Sequence, residues 1–185
     1  MKRTVTIIIA TVFCIAMFAG TAIADSGKYV ALAKDELAPL GQDKAIVKAI
    51  RAQNKEGKSL DSIKRLDSVW KGEDGIAEYM EPILNGKCAK HLKKLVAERP
   101  YLMEIFIMDN QGANVAMTDK TGDYWQGDEA KFQKSFANGK GAIFVDEVEF
   151  DKDFGTDLLQ ISVPVMDKGE AIGAITFGVF ANKVK

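Results

Sequence analysis

The chain is poor in the side chains that carry most enzyme chemistry. Its 185 residues include one histidine and two cysteines. With His91 alone, no second imidazole can complete a proton relay or a histidine metal pair. The G-x-S-x-G turn of serine hydrolases is absent, as are H-E-x-x-H, the phosphate-binding G-x-x-x-x-G-K-[ST] loop and the haem-attachment C-x-x-C-H. Cys88 and His91 lie three residues apart, the spacing of half a metal site. Zinc normally takes at least three protein ligands, and the chain offers no second cysteine or histidine beyond the N-terminal apolar run. We therefore expect no enzyme, no cofactor and no metal centre. With Cys88 as the one cysteine beyond that run, no intrachain disulfide is expected either.

Long hydrophobic runs are also missing, except at the N-terminus. Lys2 and Arg3 precede an uncharged stretch from Thr4 to Ala24 that ends in Ala22-Ile23-Ala24. Basic start, apolar run and small-residue ending make a secretory signal with cleavage after Ala24. The stretch is long enough to span a bilayer, but its A-x-A ending favours cleavage. Cys14 sits inside the apolar run behind a bulky Phe13, which argues against a lipid anchor. The chain carries 25 basic and 26 acidic residues, and losing Lys2 and Arg3 leaves a small acidic excess. No basic stripe remains for phosphate contacts, so nucleic acid is excluded as a partner. A periplasmic product of ordinary single-domain length is expected from Asp25 onward.

Apolar spacing divides that product in two. Helical periods run over Tyr29–Leu40, from Asp43 to Gly57, and from Ser59 or Asp61 through Trp70. A fourth helix from Ile76 to Leu84 is interrupted by Pro82, and a fifth around Leu92 and Leu95 stops before Pro100. Beyond Pro100 the period shortens. Leu102–Met108 and Asn114–Thr118 read as strands joined by an Asp-Asn-Gln-Gly turn. A short helix with Phe132 and Phe136 follows, closed by Gly139 and Gly141. Ala142–Phe150, Thr156–Met166 and Ala171–Ala181 read as three hairpin-linked strands. Helices followed by antiparallel strands make an α+β fold. The organisation is a signal peptide over 1–24, a helical segment over 25–58 and a sheet-bearing domain over 59–185.

Two polar stretches raise functional questions. Asp146, Glu147, Glu149, Asp151, Asp153 and Asp157 crowd one hairpin, but their spacing misses an EF-hand loop. They read as a solvated edge that resists strand pairing. Asp146 shares strand parity with Phe144, Val148 and Phe150, which directs it inward. Tyr124 and Trp125 stand in the polar loop after Thr118. They serve either to cover the core edge or to wall a ligand pocket.

Three stretches resemble the PDC or Cache family, the extracytoplasmic PAS-like sensor domains of bacterial kinases and chemoreceptors. "IFIMDNQG" resembles the family's first central strand and turn. "GDEAKFQKSFANGKGAIFVDEVEF" is similar to its short helix, glycine cap and third strand, and "LLQISVPVMDKGEAIGAITFGV" to its closing hairpin. The likeness covers Tyr101 to Ala181 and extends back toward Ser59. It implies N-terminal helices packed on a five-stranded antiparallel PAS-like sheet, with a ligand held between sheet and loops. Carried over, the pocket walls are Met117, Thr118, Tyr124, Trp125, Lys131 and Asp146, with the aromatic pair as a lid. Amino-acid-binding members carry an Asp on the last strand; Gly178 stands about there, which argues against an amino-acid ligand. The resemblance implies a small polar ligand, an organic acid among the candidates, and signalling through a separate membrane-bound receptor or kinase. A secreted interaction or inhibitor protein without a small ligand is the alternative.

Overall fold

The structure, a computed structural model, describes residues 22–152 and 154–185. The expected signal peptide lies outside the described residues up to residue 21. The first helix, α1 (Ala22–Leu32), begins seven residues before the Tyr29 start expected from apolar spacing, since nothing from Ala22 to Lys28 is a proline stop. It continues through a π turn (Ala33–Leu37) and a 3-10 turn (Ala38–Gln42). No described helix is long and apolar enough to cross a membrane.

Capping chemistry sets the next boundaries. Asp43 accepts from the amides of Ala45 and Ile46 and starts α2 (Lys44–Glu56), which ends at Gly57 in the left-handed region. Ser59 caps α3 (Leu60–Lys71). The expected fourth helix is reduced to a 3-10 turn at Glu78–Met80 and α4 (Glu81–Asn85), because Pro82 suits only the first turn of a helix. The fifth helix, α5 (Lys87–Ala97), closes this half.

The fold is α+β, with the helices packed on an antiparallel sheet. Among the described residues the strands are β1 (Leu102–Met108), β2 (Asn114–Met117), β3 (Phe144–Val145), β4 (Glu149–Asp151), β5 (Thr156–Asp167) and β6 (Glu170–Phe180). Their order is β2-β1-β6-β5-β3, with β4 also on β5. The single third strand expected over Ala142–Phe150 is therefore two strands. Val145 pairs with Ile161 and Glu149 with Leu158, so one extra residue bulges out between them. The bulge reverses side-chain parity: Asp146 and Glu149 fall on one side, and Phe150 is 63% exposed. The short helix, α6 (Ala130–Phe136), bridges β2 and β3, with Phe132 and Phe136 stacked at 5.2 Å.

Two apolar clusters sandwich the sheet. On one face Ile105, Ile107, Ile161, Val163, Ile175 and Phe177 meet Leu37, Ile46, Ile50 and Leu92 from the helices. On the other, Phe106, Met108, Met117 and Ala174 meet Ile63 and Trp70 of α3 together with Tyr124 and Phe132. Each fully buried side chain of this size contributes about 1.5–3 kcal/mol, so α2 and α5 are held chiefly by the first cluster. Polar contacts fix the register of α2. Asn54 donates to the Ile172 carbonyl at 2.7 Å, and Gln53 to Asp109 at 2.8 Å. The bidentate Arg51–Asp167 pair at the same helix end is exposed on the arginine side and adds little.

Gly173 marks the closest approach of backbone and core. A Cβ there would overlap the Met108 carbonyl oxygen and stand 3.0 Å from Ile50 Cγ2. Gly173→Ala is therefore expected to lower stability by about 1–3 kcal/mol, as overpacking does. Gly75→Ala, with open space around it, should stay within about 0.5 kcal/mol. Urea denaturation of the two variants checks this, and equal midpoints would contradict it.

Candidate functional site

The second face of the sheet carries two adjacent cross-strand rows with different character. The first runs Met117, Phe106, Thr176, Ser162, Phe144 across five strands. It is closed, and the Ser162 and Thr176 hydroxyls satisfy each other at 2.8 Å while buried. The second row is Glu104, Gly178, Gln160. The Asp146 amide extends it by donating to the Gln160 carbonyl at 2.9 Å. Here the apolar cover stops, and a cavity of ≈ 590 Å³ opens between the sheet and the loop after β2. Glu104, Phe106 and Gln160 form its floor, the 120–123 loop and Gln126 one wall, and Glu129 and Lys131 another. A second cavity of ≈ 360 Å³ adjoins it, shares Glu104 and Gln160, and extends to Asp146, Glu147 and Glu149.

Helix α3 positions the loop wall. Ile63, Asp67 and Trp70 recur at helical spacing and are all buried. Asp67 Oδ1 accepts from the amides of Tyr124 at 2.9 Å and Trp125 at 3.0 Å, while Oδ2 takes the Lys71 ammonium at 2.7 Å. Trp70 Nε1 donates to the Thr121 carbonyl at 2.7 Å. From the sheet, Asn114 donates to Thr121 Oγ1 and the Asp123 carbonyl, both at 3.0 Å. The loop is thus bonded on both sides.

Electrostatics distinguish Glu104 from the other charged groups of the cavity. Lys131 pairs with Glu129 at 2.8 Å and lies 5.6 Å from the Phe106 ring centre. Lys120 donates to the Glu73 carbonyl, and Asp123 lies 3.4 Å from Lys71. Glu104 accepts no hydrogen bond and forms no salt bridge among the described residues. Burial pushes its carboxyl above the usual carboxylate range, and Asp119 adds to the push while Lys131 opposes it.

The six residues expected as pocket walls do not converge. Lys131 lines the larger cavity and Asp146 the adjoining one, where Asp146 is exposed rather than buried and accepts from the Glu147 amide at 3.0 Å. Met117 is fully buried in the second core cluster, and Thr118 spends its hydroxyl oxygen accepting from the Ile105 amide at 3.0 Å. Tyr124 is 1% exposed, packs 5.7 Å from Trp70, and burial pushes its phenol upward. Trp125 donates to the Gln111 carbonyl at 2.7 Å, lies under Lys64 at 4.5 Å, and lines a separate cavity of ≈ 460 Å³. Tyr124 covers the core edge, Trp125 lines that separate cavity, and neither aromatic lines the larger one.

Two residues that shape the site are missing from that expectation, and each had a signal. Glu104 is the one charge in the apolar run LMEIFIM. Asp67 is an acid on the apolar stripe of its helix. Among the helices on the first face of the sheet, His91 Nε2 lies 3.1 Å from Asp43 Oδ2. The half-buried Cys88 thiol is pushed up to about 11 by burial and by Asp43. No group of three His, Cys, Asp or Glu among the described residues could hold a metal ion. A further cleft of ≈ 440 Å³, between α1 and the last residues of the chain, holds none of the six expected residues.

No protein-family model matches the chain, and no curated protein matches it. Among solved structures it is similar to the sensor domain of the V. cholerae histidine kinase DctB, with 13% identity and a TM-score of 0.49, covering 88% of this chain and 54% of that one. It is also similar to the ligand-binding domain of the Pseudomonas aeruginosa amino acid chemoreceptor PctC in complex with GABA (16% identity, TM-score 0.43, 86% and 62% covered). The sensory domain of the Campylobacter jejuni chemoreceptor Tlp3 with isoleucine bound is a third (13% identity, TM-score 0.39, 88% and 65% covered). The chain spans between 54% and 65% of the length of these neighbours. Likeness of this degree carries neither a ligand nor a role to this chain.

Asp67 is the residue whose loss should disturb the site most. Asp67→Ala leaves two backbone amides without their acceptor, while Lys71 keeps Asp123 at 3.4 Å, a cost of about 2–4 kcal/mol. Hydrogen exchange at the Tyr124 and Trp125 amides should accelerate by far more than exchange in β6. Unchanged exchange at those two amides would contradict the pinning role.

Proposed function

We propose that this protein is an exported, non-enzymatic sensor module of PDC or Cache type that binds a small polar molecule and acts in signal transduction through a separate receptor. One observation carries the reading. A cavity of ≈ 590 Å³ sits between a rigid sheet and a pinned loop, and it contains polar side chains that no neighbour satisfies. Small-molecule sites fall at about 300–1,000 Å³ with a few convergent polar groups. The chain's order of helices, strands, short helix and closing hairpin supports the family reading, and the N-terminal leader pattern supports export to the periplasm. Lys131 and Asp146 remain in the proposed ligand site, joined by Glu104 and Gln160. The separate receptor rests on the sequence resemblance.

A second reading, a secreted interaction protein, is favoured by one feature. The acidic hairpin exposes Phe150 at 63% and Phe154 at 59%.

A thermal-shift screen of organic acids, amines and neutral polar compounds tests the sensor reading. A compound at a hundredfold excess over its Kd stabilises by about 2.7 kcal/mol. In a domain of this size that raises the melting temperature on the order of 5–10 °C. A flat response from every class would sink the reading.

A further inference from the structure

We propose that the cavity selects organic cations, and that Glu104 binds the protonated amine of the ligand. This rests on the small-molecule reading above and names the chemical class that the site takes.

The cavity's cationic groups are already engaged. Both lysines of the cavity have partners, Lys131 in Glu129 and Lys120 in the Glu73 carbonyl. An incoming carboxylate would have to take Lys131 from Glu129 while lying beside Glu104. The adjoining cavity tilts the balance further, since Asp146, Glu147 and Glu149 line it and no lysine or arginine does. A groove lined by one sign of charge concentrates ligands of the other. This reverses the expectation of an organic acid.

Gly178 gives Glu104 its place. A Cβ at residue 178 would stand 2.7 Å from Glu104 Cγ and 3.2 Å from its Oε1, so the carboxylate leans over the glycine. Any side chain at 178 would displace it. Beyond the glycine, Gln160 presents a carboxamide with no hydrogen-bond partner among the described residues. The Cα atoms of Glu104 and Gln160 are two strand spacings apart, about 10 Å, a slot that suits a small molecule. A bare metal ion is the wrong occupant. Calcium needs six to eight oxygen ligands, and no described cluster of acids supplies even three.

A half-buried carboxylate that accepts no hydrogen bond, its burial only partly offset by the charge of Lys131, costs stability in the empty protein. Glutamine has the same shape without that cost, so the charge at residue 104 is explained by a cation that arrives from solution. Sites kept for binding commonly carry such a penalty.

The test uses the purified protein and three sets of small probes. The cations are putrescine, ethanolamine and lysine methyl ester; the anions are succinate and malate; butanediol is the neutral control. Melting temperature and calorimetric titration are read for the native protein and for Glu104→Gln. At least one cation should bind, the anions should not, and Glu104→Gln should weaken that cation at least tenfold. The empty variant should melt at the same temperature as the native protein or higher, whereas a structural role for Glu104 would lower it. Binding of succinate or malate without any cation overturns the proposal and leaves the sensor reading standing. So does a cation that binds the variant equally well. No binding by any probe overturns this proposal and counts against the sensor reading as well.

Discussion

The carboxylate of Asp67 sets the height of the site. Its one side chain holds the amides of Tyr124 and Trp125 and the ammonium of Lys71, and through them it fixes the loop against α3. Because the Trp70 indole and the Asn114 carboxamide grip the same loop from two other directions, the loop stands as a wall. Without that wall, Glu104 and Gln160 would face open water, and the cavity would lose one side. Tyr124 contributes by filling the volume behind the loop, where its ring meets Trp70. A polar segment is therefore held by a buried acid, an aromatic contact and a short backbone bridge, in which the Asn114 amide donates to the Tyr124 carbonyl at 3.0 Å and the Gln126 amide to the Gly112 carbonyl at 2.8 Å.

The sheet divides its labour between faces. The helix-facing side is apolar from Ile105 to Phe177 and supplies the cohesion of the fold. The opposite side is covered only as far as the row through Phe106 and Met117, and beyond it the side chains turn polar. A sheet packed on one face and partly open on the other is a common antiparallel arrangement. Here the open part has a floor with an unpaired carboxylate, an unpaired carboxamide and a glycine between them. The stability of the first face can support the penalty on the second.

Much of this was legible in the sequence, because it was written in local chemistry. The caps at Asp43 and Ser59, the stop at Gly57, the turn after Met108 and the change of period at Pro100 all appear where the residues place them. What escaped depends on partners distant in the chain. Tyr124 looks exposed among aspartates and threonines until α3 brings Trp70 and Asp67 to it. Alternation places Phe150 in line with Asp146, but the extra residue between Val145 and Glu149 breaks that line. Glu104 escaped for another reason: the hydrophobes of its strand fix the strand and its core face, and only the tertiary cover shows that the one charge among them faces a cavity.

The central claim is that the space between Glu104, Gln160 and Lys131 is where a small molecule binds. Amide chemical-shift mapping by NMR locates a binding site most directly, using whichever compound gives the largest thermal shift. The account predicts that the perturbed amides cluster at Glu104, Phe106, Lys131, Gln160 and Gly178 and leave α2 unmoved. Perturbations centred on the cleft beside Tyr101 and Lys183, or on the surface around Trp125, would contradict it.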